Sequence, residues 1–254
     1  MKQIVLAAIA MVIAVSFSAP AVLAGSDSGP KLALHLTPVV AKSSFICAEN
    51  SPNTLGIPCS NYVVNGLTRP TITVNQLIYL VVAQVDTPSF SSPDLAGATL
   101  GIQYNGNTGQ GVDMVSWTLC ADGLEFKNAG PRGDWPASGG GNVITFTTCQ
   151  QTRVGTDGVH AVLGAFTIYA YGNDIFRVTP NRNFIGPDVL LLADCSSAQT
   201  EIDTTGVTTG VAPTGWVGFG NCQGCNPCVA DCRPVPNCSQ PVEPVTWGSI
   251  KNKY

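Results

Sequence analysis

Charge is what this chain has least of. Asp, Glu, Lys and Arg make up 11% of its 254 residues, against about 25% in typical soluble domains. The formal net charge is −4, and the Lys and Arg total only 12. No basic stripe exists to follow a nucleic-acid backbone, so that class of partner is excluded. Histidine is almost as scarce. His35 and His160 are the only two, and each sits inside an alternating strand pattern, the usual place of a structural or surface histidine. No G-x-S-x-G elbow occurs, so the material for nucleophilic catalysis is thin. Spaced glycines in "GWVGFG" (215–220) precede no helix, which removes a dinucleotide reading and leaves a terminal strand with close backbone packing. Beyond the first two dozen residues no apolar run is long enough to span a membrane. No amphipathic helix of about ten residues or more precedes the extreme C-terminus. With 44% hydrophobic residues the chain can nevertheless bury a core, and wholesale disorder is excluded.

What is present reads as strand after strand. "LALHLTPV" (32–39) alternates Leu32, Leu34 and Leu36 with Ala33, His35 and Thr37. "LIYLVVAQV" (77–85) is a β-branched and aromatic run suited to a central strand. "GATLGIQY" (97–104), "VDMVSWTL" (112–119), "NVITFTT" (142–148), "VHAVLGAFTIYAY" (159–171), "DIFRVTP" (174–180) and "DVLLLAD" (188–194) follow. Asn105-Gly106, Asn107-Thr108-Gly109, Asp157-Gly158 and Gly172-Asn173-Asp174 supply turn chemistry between them. The runs on either side of Gly172-Asn173 read as a hairpin. Short strands without intervening helices predict an all-β fold, an antiparallel β-sandwich of jelly-roll type, with a barrel as the alternative. Its expected core holds Leu80, Val82, Leu100, Ile102, Trp117, Phe146, Phe166 and Ile168.

The first residues, MKQIVLAAIAMVIAVSFSAPAVLA, have the form of a secretory signal peptide over 1–24, with cleavage expected after Ala24. No twin arginine is present, so export in the unfolded state is expected. The chain would then work in the periplasm, at the cell surface or outside the cell, with no membrane span left after cleavage. The domain reading is 25–220 for the β-sandwich, 221–240 for a Cys/Pro-rich segment and 241–254 for a tail. Trp247, Ile250 and Tyr254 fall at i, i+3 and i+7, on one face of a short helix. They are the candidate recognition residues of a sorting or attachment tag.

All ten cysteines follow residue 24, and an even number in an exported chain reads first as five disulfides. Cys47–Cys59 would close a local loop containing Pro52, Gly56 and Pro58. Cys120–Cys149 would join two strand ends. Pairing is open for Cys195, Cys222, Cys225, Cys228, Cys232 and Cys238. Four of these sit in "NCQGCNPCVADC" (221–232), at the spacing of an iron–sulfur ligand run. Arg233, not Pro, follows the last of them, and export unfolded cannot carry a cluster. Cys225-Asn226-Pro227-Cys228 also has the C-x-P-C form of a thioredoxin redox pair, but Pro234 breaks any helix that would activate it. Cys222/Cys225 and Cys228/Cys232 would make two half-sites for zinc, with far fewer residues between them than structural zinc sites use. Disulfides therefore take the weight, and no cofactor is called for.

Ligand contacts are sought among acids and loop tryptophans. Asp122, Glu125 and Asp134 cluster around the Cys120 loop, and Asp86 and Asp94 flank the loop after the long strand. These loops would suit calcium through backbone carbonyls, or a pair of acids for glycan hydrolysis; turn capping is the ordinary role of such acids. Trp135, in a Gly/Pro-rich loop, together with Trp216 and Trp247, would form a sugar-stacking platform. Trp135, Asp122 and Glu125 are the candidate ligand contacts, and no residue is assigned a catalytic role.

Two resemblances attach to these motifs. "IYLVVAQVDTPSFSSPDLAGATLGIQYNG" followed by "VDMVSW" resembles the start of a cohesin-type domain, over about 77–171. That likeness implies a jelly-roll sandwich that binds a partner and has no catalytic residues; no dockerin repeat is present. "SWTLCADGLEF" (116–126), "WPASGGGNVITF" (135–146), "TCQ" (148–150), "FRVTP" (176–180), "GCNPC" (224–228) and "TWGSIK" (246–251) resemble marks shared by exported bacterial proteins that carry no known activity. The sequence thus reads as an exported, non-catalytic β-sandwich module that binds a protein or glycan, or builds a surface layer. The alternative is a carbohydrate-binding or glycan-hydrolysing secreted protein. Deletion of residues 241–254 is expected to change where the protein is found, by cell fractionation; unchanged distribution would remove the tag reading.

Overall fold

A computed structural model of the chain describes residues 30–39, 46–49, 51–84, 95–120, 122–130, 133–150, 154, 160–182, 188–193, 195, 199–201, 214–230, 232 and 238. The segment expected to be a signal peptide and the tail with Trp247, Ile250 and Tyr254 lie outside these residues, as do Asp86 and Asp94.

The strands are β1 (Pro30–Pro38), β2 (Asn65–Gly66), β3 (Gln76–Gln84), β4 (Leu95–Gln103), β5 (Val112–Leu119), β6 (Gly123–Gly130) and β7 (Gly133–Asp134). They continue with β8 (Gly141–Gln150), β9 (His160–Ala170), β10 (Asp174–Thr179), β11 (Leu191–Ala193), β12 (Gln199–Glu201) and β13 (Trp216–Phe219). A single turn of helix, α1 (Ile46–Glu49), and a 3-10 turn (Cys59–Asn61) lie between β1 and β2. One sheet has the order β1-β3-β9-β5, antiparallel throughout. The other has nine strands, β2-β13-β10-β4-β8-β6-β7 with β11 and β12 attached through β4. Strands β10 and β11 share one side of β4, pairing with residues 101–103 and 97–99 respectively. The two sheets pack face to face, so the fold is an antiparallel β-sandwich.

Side-chain alternation sets the layers. Leu32, Leu34 and Leu36 of β1, Ile78, Leu80 and Val82 of β3, and Phe166 and Ile168 of β9 point between the sheets. They meet Leu100, Ile102, Ile144, Phe176, Val217 and Phe219 of the other sheet. Phe166 and Phe176 close the seam, with ring centroids 4.9 Å apart. The four-stranded sheet is buried on its second face as well. There Ala33, Leu77, Tyr79, Val81, Ala83, Val162 and Ala165 lie under a lid formed by residues 46–64. A strand with two covered faces has no polar side, which is why the 77–85 run lacks alternation. Tyr79 donates its hydroxyl to the Ile46 carbonyl at 2.7 Å under this lid, and burial pushes its phenol pKa up to about 12.

Disulfides fasten the lid at both ends. Cys47 pairs with Cys120 after β5, and Cys59 pairs with Cys228 in the turn after β13. Cys149–Cys195, Cys222–Cys238 and Cys225–Cys232 complete the set. The local pairs Cys47–Cys59 and Cys120–Cys149 do not form. The lid crosses the whole sheet, from β5 beside α1 to β1, where the Leu36 N–H donates to the Val63 carbonyl, so its two cysteines sit at opposite edges. Asn226 shapes the turn that receives Cys59: its amide donates to the Cys59 carbonyl at 2.6 Å and accepts the Cys228 N–H at 2.9 Å.

The expected hairpin across Gly172-Asn173 is also corrected. Strand β9 pairs with β3 and β5, whereas β10 pairs with β13 and β4, so the turn carries the chain from one sheet to the other. Side chains of the turn then bind what a hairpin ladder would have bound. The Asp174 carboxylate accepts the Asn105 N–H at 3.1 Å and the Val112 N–H at 2.8 Å, and Asn173 accepts the Asn221 N–H at 3.0 Å. One acid thus ties the entrance of β5 and the exit of β4 to the start of β10. Asp174→Ala strands these donors and is expected to cost about 2–4 kcal/mol in urea unfolding, with Asp174→Asn costing less.

Candidate functional site

The sequence-predicted contacts are scattered by the fold and then partly regrouped around Trp117. Strand β5 is an edge of its sheet, and its Trp117 indole lies against Gly164 of β9, where any Cβ would overlap the ring. Trp117 donates from Nε1 to Glu125 Oε1 at 2.6 Å. The same oxygen accepts the Asn142 amide at 2.7 Å, while Lys127 Nζ stands 3.2 Å from Oε2. Trp135 packs edge-on against Trp117, centroids 5.3 Å apart, and both rings contact Phe166.

Glu125 and Trp135 therefore meet through a third residue, but not as a binding platform. Trp135 is 5% exposed and belongs to the inter-sheet core, so it offers no ring face for a sugar; its Gly/Pro-rich loop folds inward over the end of the sandwich. Trp216 is equally buried and donates from Nε1 to the Gln223 carbonyl at 3.0 Å. The Glu125 carboxylate is committed to an indole, an amide and an ammonium group, a wiring role between the two sheets. Asp122 and Asp134 are exposed, and Asp122 uses its backbone carbonyl to accept the Thr147 N–H. Every cysteine is in a disulfide, which leaves no thiolate to ligate zinc or an iron–sulfur cluster. Among the described residues no three His, Cys, Asp or Glu side chains are grouped to hold a metal ion.

Two arrangements went unread in the sequence. The first joins both histidines. His35 and His160 flank Tyr62 of the lid, with ring centroids 5.0 and 5.9 Å from it. The Tyr62 hydroxyl and His160 Nδ1 are 3.1 Å apart, and His35 Nδ1 accepts the Val63 N–H at 3.1 Å. That acceptor role fixes His35 as the neutral Nε2–H form. The second lies where loop 67–75 meets the end of β9. Arg69 Cζ sits 4.4 Å from the Tyr169 ring centroid and 5.6 Å from that of Tyr171. Its N–H donates to the Ala170 carbonyl at 2.9 Å and its Nη2 to the Thr73 carbonyl at 3.3 Å. Tyr171 is 39% exposed and nearby Leu67 53%. Asp113 stands opposite Tyr169 in the β5–β9 register. Only the i, i+2 spacing of the two tyrosines, which puts them on one strand face, was visible beforehand.

Fold and site together define a disulfide-stapled antiparallel β-sandwich with a cation–aromatic surface cluster. No protein-family model matches the chain, and no curated protein matches it in sequence. Among solved structures it is similar to a cohesin module of a Clostridium perfringens family 33 glycoside hydrolase, at 7% identity and TM-score 0.36, over 74% of this chain and 98% of that one. It is also similar to the sixth cohesin of Acetivibrio cellulolyticus scaffoldin B, solved with a Cel5 dockerin mutant, at 7% identity and TM-score 0.35, over 68% and 92%. A third is CaCohA2 of Clostridium acetobutylicum, at 16% identity and TM-score 0.31, over 59% and 89%. Likenesses this distant carry no function to this chain. Among the described residues no helix is long and apolar enough to cross a membrane.

Burial lowers the His35 pKa to about 4. The unfolded chain, with an ordinary histidine, binds the proton first as pH falls. Stability is therefore complete above about pH 6.5 and is lost progressively between about 6.5 and 4, by up to about 3 kcal/mol. Thermal melts across this range measure the loss, and His35→Gln is expected to flatten the dependence.

Proposed function

We propose that the chain is an exported, non-catalytic binding module that engages a protein partner at the Arg69–Tyr169–Tyr171 cluster. The observation that carries this reading is the exposed Tyr171 ring, beside Tyr169 and the Arg69 that stacks on it, at the end of a sheet whose outer face is otherwise largely covered by the lid. Tyr and Arg dominate the energetics of protein interfaces because they combine rigid apolar area with hydrogen-bonding ends. Arg69 is already held in place by backbone carbonyls, so little ordering entropy remains to be lost on binding. Five disulfides suit an oxidising compartment, the cell surface or beyond.

A glycan is the second reading, favoured by the half-exposed Tyr171 ring. Against it, the guanidinium of Arg69 covers the Tyr169 face on which a sugar ring would stack. Hydrolysis is disfavoured by the commitments of Glu125.

The immobilised wild-type chain is expected to retain a protein from surface extracts of the producing cells. Tyr171→Ala and Arg69→Ala should each reduce that retention about tenfold, the scale of one hot-spot residue, with melting temperatures within a few degrees of wild type. Equal retention by all three proteins would overturn the assignment. Glycan-array binding that is lost in the same variants would transfer the site to the second reading.

A further inference from the structure

Strand β6 ends the nine-stranded sheet except for the two-residue β7, which pairs only with Ala129 and Gly130. Residues 123–128 thus pair with β8 alone among the described strands. Two large apolar side chains stand on the outer face of this edge: Leu124 is 65% exposed and Phe126 56%. An open edge with exposed alternate apolar residues is a template for another strand.

Backbone parity says which groups are open. The Thr147 N–H donates to the Asp122 carbonyl, and the register from Gly123↔Phe146 to Asn128↔Gly141 runs without interruption. Alternation then turns the backbone groups of Leu124 and Phe126 toward β8 and those of Glu125 and Lys127 toward the open side. The segment is also self-complementary. With an antiparallel copy centred on Phe126, residue 125 of each chain faces residue 127 of the other. These are the two positions with open backbone groups, so both form hydrogen-bonded pairs. Their side chains are a carboxylate and an ammonium group. The two Phe126 rings fall in the intervening non-hydrogen-bonded pair, where side chains approach most closely. Centring the pair on residue 125 or on residue 127 would instead set like charges opposite one another.

We propose that β6 pairs edge to edge with β6 of a second copy of this chain, about a two-fold axis at Phe126, to form a continuous sheet across a symmetric dimer. Such a C2 contact is isologous and closes on itself, so it yields dimers and not filaments. A single short strand pair buries less than the roughly 1,200 Å² of stable specific interfaces, so the association is weak, with a dissociation constant of about 10–100 µM. The inference does not rest on the Arg69–Tyr169–Tyr171 reading, which concerns the other sheet.

Sedimentation equilibrium of the oxidised full-length exported chain, from about 5 to 500 µM, should show a monomer–dimer equilibrium bracketing that constant. Amide exchange adds a positional readout. The Glu125 and Lys127 N–H groups should gain about tenfold protection at the highest concentration, the scale set by the dimer fraction, whereas those of Leu124 and Phe126 are protected at every concentration. Phe126→Lys should weaken dimerisation at least tenfold. Lys127→Glu, a second exposed change, places carboxylates opposite one another and should do the same. A monomer throughout the range would overturn the proposal. So would a dimer without protection at 125 and 127, or one indifferent to both substitutions with melting temperatures unchanged.

Discussion

Burial of one sheet on both faces is the constraint from which the rest of this molecule follows. The β1-β3-β9-β5 sheet presents apolar side chains in both directions, and each face needs a cover. The nine-stranded sheet supplies one. The other cannot be a third sheet, because the chain has no strands left for it among the described residues; it is the irregular lid of residues 46–64. An irregular lid carries many backbone polar groups and few regular bonds. It is held by side chains that reach up from the sheet, such as Tyr79 to the Ile46 carbonyl, and by a disulfide at either end.

The same constraint explains where polarity enters the interior. Few charges are available, so neutral groups do most of the work. His35 and His160 pack their rings against Tyr62 of the lid, and His35 accepts the Val63 backbone N–H. Glu125 is the exception, a carboxylate at the rim that links an indole of one sheet to an amide of the other. Asp174 does the equivalent at the opposite crossing, where the chain changes sheets. Asp174 takes up backbone N–H groups that the change of sheet leaves without a ladder partner, whereas Glu125 joins side chains across the two sheets.

Much of the architecture was legible in the sequence, and the failures have physical causes. Runs such as 32–39 and 97–104 alternate large apolar side chains with small or polar ones, and they became β1 and β4, although both faces of each strand are largely buried. Strand β6 escaped notice because GLEFKNAG exposes Leu124 and Phe126 while turning Glu125 inward, an inversion of the usual pattern. Gly172-Asn173 signals a change of direction, but no local residue says which sheet the next strand joins. Trp135 looked exposed because Gly and Pro surround it; those residues let the loop fold inward. The tyrosines of the surface cluster were visible one by one. Their arginine arrives from a loop a hundred residues away, and spacing cannot report that. Cysteine pairing failed for the same reason, since nearness along the chain is a poor guide once a lid spans four strands.

The bond between Cys59 and Cys228 spans 169 residues, and that separation imposes an order of events. A chain that emerges N-terminus first presents its lid early, together with the apolar sheet face beneath it. The cysteine that secures the lid emerges only near the end. Until then the Cys59–Cys228 bond cannot form, mixed disulfides compete for the earlier cysteine, and the face carrying Leu77, Tyr79 and Val81 is open to aggregation. Closure of the lid is therefore a late event in the folding of this chain. Its yield depends on thiol exchange and on protection of one sheet face during the interval between first and last cysteine.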